Sequence, residues 1–135
     1  MIDYIYAYAV SILTMGALDA AWLGFVAPAF YKKRLGFIMA DKPNWIAAVA
    51  FYLIFILGVT FFVVYPGWKN MDSLLKVALT GALFGLVTYA TYDLTNQATL
   101  KNWPVTVTIV DLMWGSVLTA GVCTVAVIIL KNFVK

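Results

Sequence analysis

Two residue types are missing outright. The 135-residue chain has no histidine and no glutamate, and its six acids are Asp3, Asp19, Asp41, Asp72, Asp93 and Asp111. Without histidine there is no His-rich zinc centre, no His-ligated haem and no Ser-His-Asp hydrolysis. A single cysteine, Cys123, excludes an internal disulfide and a cysteine-based metal cluster. Charge is scarce as well. Only 11% of the residues are charged, where soluble domains carry about 25%.

What fills the chain instead is apolar. Hydrophobic residues make up 64% of it and the mean hydropathy is +0.95, against about 45–50% apolar residues in soluble domains. So few charges cannot cover the surface of a soluble fold, so the chain reads as an integral membrane protein whose first partner is the lipid bilayer. Four spans of about 20 residues each consume most of it. That leaves one transmembrane domain over 1–135 and no room for a separate catalytic, nucleotide-binding or DNA-binding domain. The net charge of +3 is spread over loops and tails, as the basic excess of membrane-protein ends is. It does not describe a nucleic-acid surface.

The spacing of breaks predicts an all-α, four-helix transmembrane bundle with helices at about 4–27, 45–65, 73–100 and 103–130. Pro28 and the run Tyr31-Lys32-Lys33-Arg34 close the first. Pro43 suits the first turn of the second and Pro66-Gly67 ends it. Asp72 or Ser73 caps the third. Pro104 opens the fourth, and Lys131 and Lys135 close it. None of the four shows the alternation of an outer-membrane strand. Ala27-Pro28-Ala29 has the small residues of a signal-peptide cleavage site. However, the apolar stretch before it is too long and lacks a basic leader, so the segment is expected to be retained. Loop 31–44 mixes Lys32, Lys33, Arg34 and Lys42 with Leu35, Phe37, Ile38 and Met39. It can form a short amphipathic surface helix or a plain basic loop.

With four spans both termini share one side, with Lys69, Lys76, Lys131 and Lys135; the other side carries Lys32, Lys33, Arg34, Lys42 and Lys101. The counts nearly balance. The tight triplet after the first span places that loop in the cytoplasm and both termini outside. Small residues mark where helices meet in lipid: Gly16, Ala20 and Gly24, Gly81 and Gly85, and Gly115, Ser116, Ala120 and Gly121. The second span has aromatics instead (Phe51, Tyr52, Phe55, Phe61, Phe62), for lipid or a second subunit.

Charge inside the membrane is the informative feature. An Asp at a helix centre costs about 2.5–3.5 kcal/mol on insertion scales, and such residues usually face a protein interior or a cavity. Asp19, Asp93 and Asp111 share a depth, roughly 10–12 Å inside the membrane face nearest Lys101, at 1.5 Å rise per residue. Their surroundings rhyme. Leu18-Asp19-Ala20-Ala21-Trp22 and Val110-Asp111-Leu112-Met113-Trp114 each set a Trp one turn after an Asp, and Tyr92-Asp93-Leu94-Thr95-Asn96 sets an Asn there. Thr88, Tyr89, Thr91, Tyr92, Thr95, Asn96, Gln97 and Thr99 raise the polar density around Asp93. If the third helix continues to Leu100, they form the polar wall of a cavity open to one face. The expected site is Asp19, Trp22, Asp93, Asn96, Lys101, Asp111 and Trp114. Three ionised carboxylates so placed repel, and a bound cation, Lys101 or a proton relieves them. A plainer reading pairs Asp93 or Asp111 with Lys101 and leaves Trp45, Trp68 and Trp103 as interfacial anchors.

The run Thr91-Tyr92-Asp93-Leu94-Thr95-Asn96-Gln97-Ala98-Thr99-Leu100-Lys101-Asn102-Trp103-Pro104, with Val110-Asp111-Leu112-Met113-Trp114-Gly115 and the first-helix stretch Leu18-Asp19-Ala20-Ala21-Trp22-Leu23-Gly24, resembles a bacterial family of small membrane proteins catalogued as domain of unknown function 2177. The resemblance covers essentially the whole chain. It implies a four-helix integral membrane protein, in the bacterial inner membrane, and supplies no activity. Function therefore rests on the residues. Carboxylates beside Trp faces suit a carrier or binder of a small cationic or polar solute, with a homodimer supplying a thicker wall. An intramembrane enzyme acting on a lipid, with Mg²⁺ on the Asp cluster, is the alternative. An accessory structural subunit is the third. No cofactor is evident beyond a possible cation at the Asp cluster.

Overall fold

The long apolar runs become long helices. The computed structural model describes residues 1–134. Among these the elements are α1 (Ile2–Phe25), α2 (Ala27–Leu35), α3 (Trp45–Val59), a π-helical turn (Thr60–Val64), α4 (Tyr65–Lys69), α5 (Leu74–Thr99) and α6 (Val105–Phe133), with no strand. Four continuous rods of 24 to 29 residues are long and apolar enough to cross a membrane: Ile2–Phe25, Trp45–Lys69, Leu74–Thr99 and Val105–Phe133. At 1.5 Å per residue they run about 36–44 Å, longer than a hydrocarbon core of about 30 Å, so their ends stand in the headgroups. The protein is an all-α four-helix transmembrane bundle.

Three prolines act differently from the sequence expectation. Pro28 opens a helix rather than closing one. The chain breaks at Val26 (φ −114°, ψ −51°), and Pro28 sits in the first turn of α2, where its missing N–H has no partner to lose. Loop 31–44 is thus partly helical, through Leu35, and irregular to Asn44. Pro66-Gly67 does not end the second span. The π turn before it lets the Tyr65 N–H reach back to the Thr60 carbonyl, and the helix passes Pro66 and ends at Lys69. A π turn shifts the register of the ladder by one, which absorbs the donor that proline lacks. Pro43 lies before α3 rather than in its first turn, and Asn44 caps the helix, its side chain accepting from Ala47 N at 3.1 Å. Ser73 caps α5 in the same way.

The second span stops in a Schellman turn. Met71 N–H reaches the Trp68 carbonyl at 3.1 Å and Asp72 N–H the Gly67 carbonyl at 3.0 Å, with Met71 left-handed at φ 55°. Glycine is the usual occupant because a Cβ there costs roughly 1–2 kcal/mol. Met71→Gly is therefore expected to stabilise the protein by about 0.5–1 kcal/mol in detergent melts. An unchanged or lowered melting temperature would show that this turn is not strained.

α6 is the most buried helix, packed along α5 on one side and α1 on the other. α5 approaches it through glycines. A Cβ on Gly81 would lie 3.0 Å from both Cys123 Sγ and the Thr119 carbonyl, and one on Gly85 would overlap the Gly115 carbonyl. Gly16 and Gly24 behave otherwise: nothing lies within 4 Å of a Cβ at either, so the small stripe of α1 faces outward. The core (Met15, Val59, Val64, Val122, Val127 and Leu130 among others) fills the half of the bundle towards the termini. That face is tied by Lys69–Asp3 at 2.5 Å, Lys76–Asp72 at 2.8 Å and Lys131 Nζ on the Asp72 carbonyl at 2.6 Å. Lys135 lies outside the described residues. At the opposite face, Leu35 of α2 docks with Trp103 and Val107 where α5 turns into α6. Trp68 and Trp103 are each only 6% exposed, so they pack inside the protein; Trp45, 71% exposed, alone of the three keeps the position of an interfacial anchor.

Candidate functional site

α5 continues to Thr99, so Asp93 sits two turns inside its end, and Asp111 two turns inside the start of α6. Because α5 and α6 are held close by Gly85 and Gly115, the two acids come to neighbouring positions on the same interface. Both are buried. Their environments differ. Asp111 accepts a hydrogen bond from the Tyr31 hydroxyl of α2. Asp93 is 0% exposed, and its carboxylate oxygens have no donor apart from the adjoining Asp111 carboxyl, with which a single proton can be shared.

Both border a cavity of about 590 Å³ whose wall is otherwise Tyr31, Leu35 and Met39 from the α2 side, Phe51 and Phe55 from α3, and Thr88, Tyr89 and Tyr92 from α5. That volume lies in the range of small-molecule sites, about 300–1,000 Å³. The cavity's polar groups are the two carboxyls, Thr88 and the tyrosine hydroxyls, and Leu35, Met39, Phe51 and Phe55 supply apolar wall. Tyr31 stays a donor here. Burial, reinforced by the hydrogen bond to Asp111, holds its hydroxyl well above the ordinary range.

Asp19 takes a parallel but separate position. It is buried on α1, accepts from the Tyr52 hydroxyl of α3, and lines a smaller cavity of about 290 Å³ with Met15, Gly16, Leu23 and Ile56. The two cavities are distinct, and Tyr89 lines the larger one only. Among the described residues no three acids or cysteines are arranged to hold a metal ion.

The two Asp-x-x-Trp motifs meet through their tryptophans. Trp22 and Trp114 stack with ring centroids 4.4 Å apart and planes 15° from parallel. By residue count Trp22 is the shallower and Trp114 the deeper. Helical side chains lean towards their own N-terminus. On α1 that is inwards and on antiparallel α6 outwards, so the rings converge. Trp22 also lies beside the Tyr31 hydroxyl, and Trp114 Nε1 is buried without an acceptor.

Asn96 is half-buried one turn beyond Asp93, and lines neither cavity. Lys101 is exposed and makes no ion pair among the described residues, so it is not the cation that neutralises Asp93 or Asp111. The polar run at the end of α5 is used locally. Trp103 Nε1 donates to Thr108 at 3.0 Å, and Thr108 donates to Gln97 at 2.9 Å.

Four spans thus carry two buried acids at one cavity, a third at another, and two Asp-x-x-Trp motifs joined by their stacked tryptophans. The chain belongs to the family described as Predicted membrane protein (DUF2177). The family model matches residues 4–128, which takes in every acid and aromatic of the site. No curated protein and no solved structure matches the chain.

Tyr31 and Tyr52 are the residues of this DUF2177 site that the sequence did not single out, whereas Tyr89, expected in a polar wall with Thr88 and Tyr92, lines the larger cavity with them. Tyr31 reads as part of a basic membrane stop and Tyr52 as one of several aromatics on an uncharged span. Tyr52 in fact turns inward with Phe55, while Phe51, Phe61 and Phe62 are exposed. A usable signal was arithmetical: buried carboxylates need donors, and tyrosine is the donor that an apolar helix tolerates most readily.

Proposed function

We propose that the protein binds a small cationic or polar solute at Asp93 and Asp111, within one transmembrane domain of the bacterial inner membrane. The Asp93 carboxyl, buried with no donor but the neighbouring Asp111 carboxyl, carries this reading. A buried acceptor without a donor costs about 1–3 kcal/mol, more when charged, and its oxygens border a cavity large enough for a ligand. With Lys101 elsewhere, a cation or a proton is what relieves the pair. The faces of Tyr89, Tyr92, Phe51 and Phe55 around the cavity favour a cation further.

Thermal melts of the purified protein across alkali ions, Mg²⁺, ammonium, and short- and long-chain amines test this. A selective ligand at a hundredfold excess over its Kd stabilises by about 2.7 kcal/mol. The shift is expected in the wild type and lost in both Asp93→Asn and Asp111→Asn. A shift that survives both substitutions, or none with any cation, defeats the reading.

The α2 face, with Lys32, Lys33 and Arg34, is proposed to be cytoplasmic. In a Cys123→Ala background, an impermeant thiol reagent outside intact cells is expected to label Asn70→Cys and spare Arg34→Cys; the reverse pattern inverts the orientation. The outward small-residue stripe at Gly16, Ala20 and Gly24 supports a homodimer through α1. Gly16→Leu is then expected to shift the oligomer to monomer in cross-linking, and an unchanged band pattern excludes that surface.

A further inference from the structure

We propose that the solute of the Asp93–Asp111 cavity is an ammonium-headed amphiphile that enters sideways from the bilayer, between α3 and α5. This rests on the carboxylate reading above and narrows it from any cation to one carried on an apolar tail.

The route follows from what closes the cavity and what does not. On the aqueous side α2 lies across it, with Tyr31 and Leu35 in the wall, and Met39 of the following loop, 49% exposed, stands at its edge. α2 is held there by Leu35 packing with Trp103 and Val107, and by the Tyr31–Asp111 hydrogen bond. A water-dissolved ion arriving by that way meets Leu35 and Met39, which offer nothing to replace its hydration shell. Towards the termini α3 and α5 are joined by aromatic contacts: Phe55 with Phe84 at 5.9 Å, Phe55 with Tyr89 at 6.5 Å, and Phe62 of the π turn with Phe84 at 6.2 Å between centroids. Phe55 and Tyr89 both line the cavity, so their contact closes its end towards the termini; beyond them, among the described residues, no aromatic pair joins the two helices. Phe51 on α3 and Tyr92 on α5 flank the gap, 49% and 59% exposed on the lipid-facing surface.

The chemistry of the wall matches that opening. An apolar, aromatic passage leads to two adjoining carboxyls, one of them with no donor but the other. An ammonium drawn in from the headgroup level exchanges water for those carboxyls and for aromatic faces. Its tail stays among lipid chains and is never desolvated. A neutral amphiphile leaves Asp93 as it was, and a small hydrophilic cation has no tail to keep it at the gap.

The test compares wild type with Asp93→Asn in detergent melts, using methylammonium, dodecylammonium and dodecanol as probes, with Asp111→Asn as a second variant and circular dichroism to show that each is folded. Dodecylammonium is expected to stabilise the wild type and not the variants, while methylammonium and dodecanol do not separate them. Along an octyl-to-dodecyl series, the apparent affinity rises about fourfold per methylene against aqueous concentration, and stays level against mole fraction in the micelle. Vesicles with and without an aminoethyl-phosphate lipid then tell a membrane lipid from a free amine as the source. If methylammonium matches dodecylammonium, lateral entry is wrong and the carboxylate reading survives. If dodecanol also separates wild type from Asp93→Asn, the tail alone is recognised and the ammonium is wrong. If no probe separates them, both readings fall.

Discussion

Gly85→Val is expected to be the most damaging single substitution in this protein. A Cβ on Gly85 would overlap the Gly115 carbonyl and come within 2.6 Å of Thr119 Oγ1. The obstacle is backbone, so no rotamer change makes room. Overpacking a core usually costs about 1–3 kcal/mol, and the value here should reach about 3 kcal/mol. α5 must move away from α6, and in lipid close backbone approach is itself what holds helices together. The site suffers with it, because a Cβ at Gly115 would press on the Tyr89 ring, which lines the cavity. Gly16→Val, compared with wild type where both are monomeric, is the matched control. Nothing lies within 4 Å of its Cβ, and an unencumbered substitution stays within about 0.5 kcal/mol. Unfolding by a denaturing detergent should place the two variants far apart. Equal stability for both would show that α5 and α6 do not approach as described.

That contrast also shows what the sequence made legible. Small residues at four-residue spacing occur on α1 and α5 alike, but only Gly81 and Gly85 are buried against a neighbour. Spacing reports that a close approach is available and leaves the partner unspecified. The four spans followed from apolar length alone, because backbone in lipid has few other options. The prolines were harder. Pro66 reads as a terminator, yet a π turn at Thr60–Val64 carries the helix past it, and such a register shift leaves no mark in composition. The acids were visible as charges at a common depth. Their partners were not, since Tyr31 and Tyr52 lie on elements whose rotation is set by tertiary packing. For that reason the expected cluster of three acids is, in space, a pair and a single carboxyl lining different cavities.

Asp93→Asn should raise the stability of the ligand-free protein, by about 1–3 kcal/mol, while Asp19→Asn lowers it by about 1 kcal/mol. Both acids are buried on spanning helices, and a rule based on burial alone gives them the same sign. Their partners separate them. Asp19 accepts from the Tyr52 hydroxyl, and a hydrogen bond to a charged acceptor contributes about 1.5–3 kcal/mol against about 1 for a neutral one; the amide keeps the contact and loses the difference. Asp93 has two buried oxygens and no donor, beside the Asp111 carboxyl. The amide removes one negative charge from that pair and adds an N–H₂ that can donate to Asp111. Stability gained in this way is expected to come with loss of the cation response, the trade found where a site holds a group ready for a ligand. The measurement is the melting temperature of the two variants against wild type, without added cation. If Asp93→Asn falls as Asp19→Asn does, Asp93 already has a donor in the folded protein, and the cavity loses the feature that marks it as a binding site.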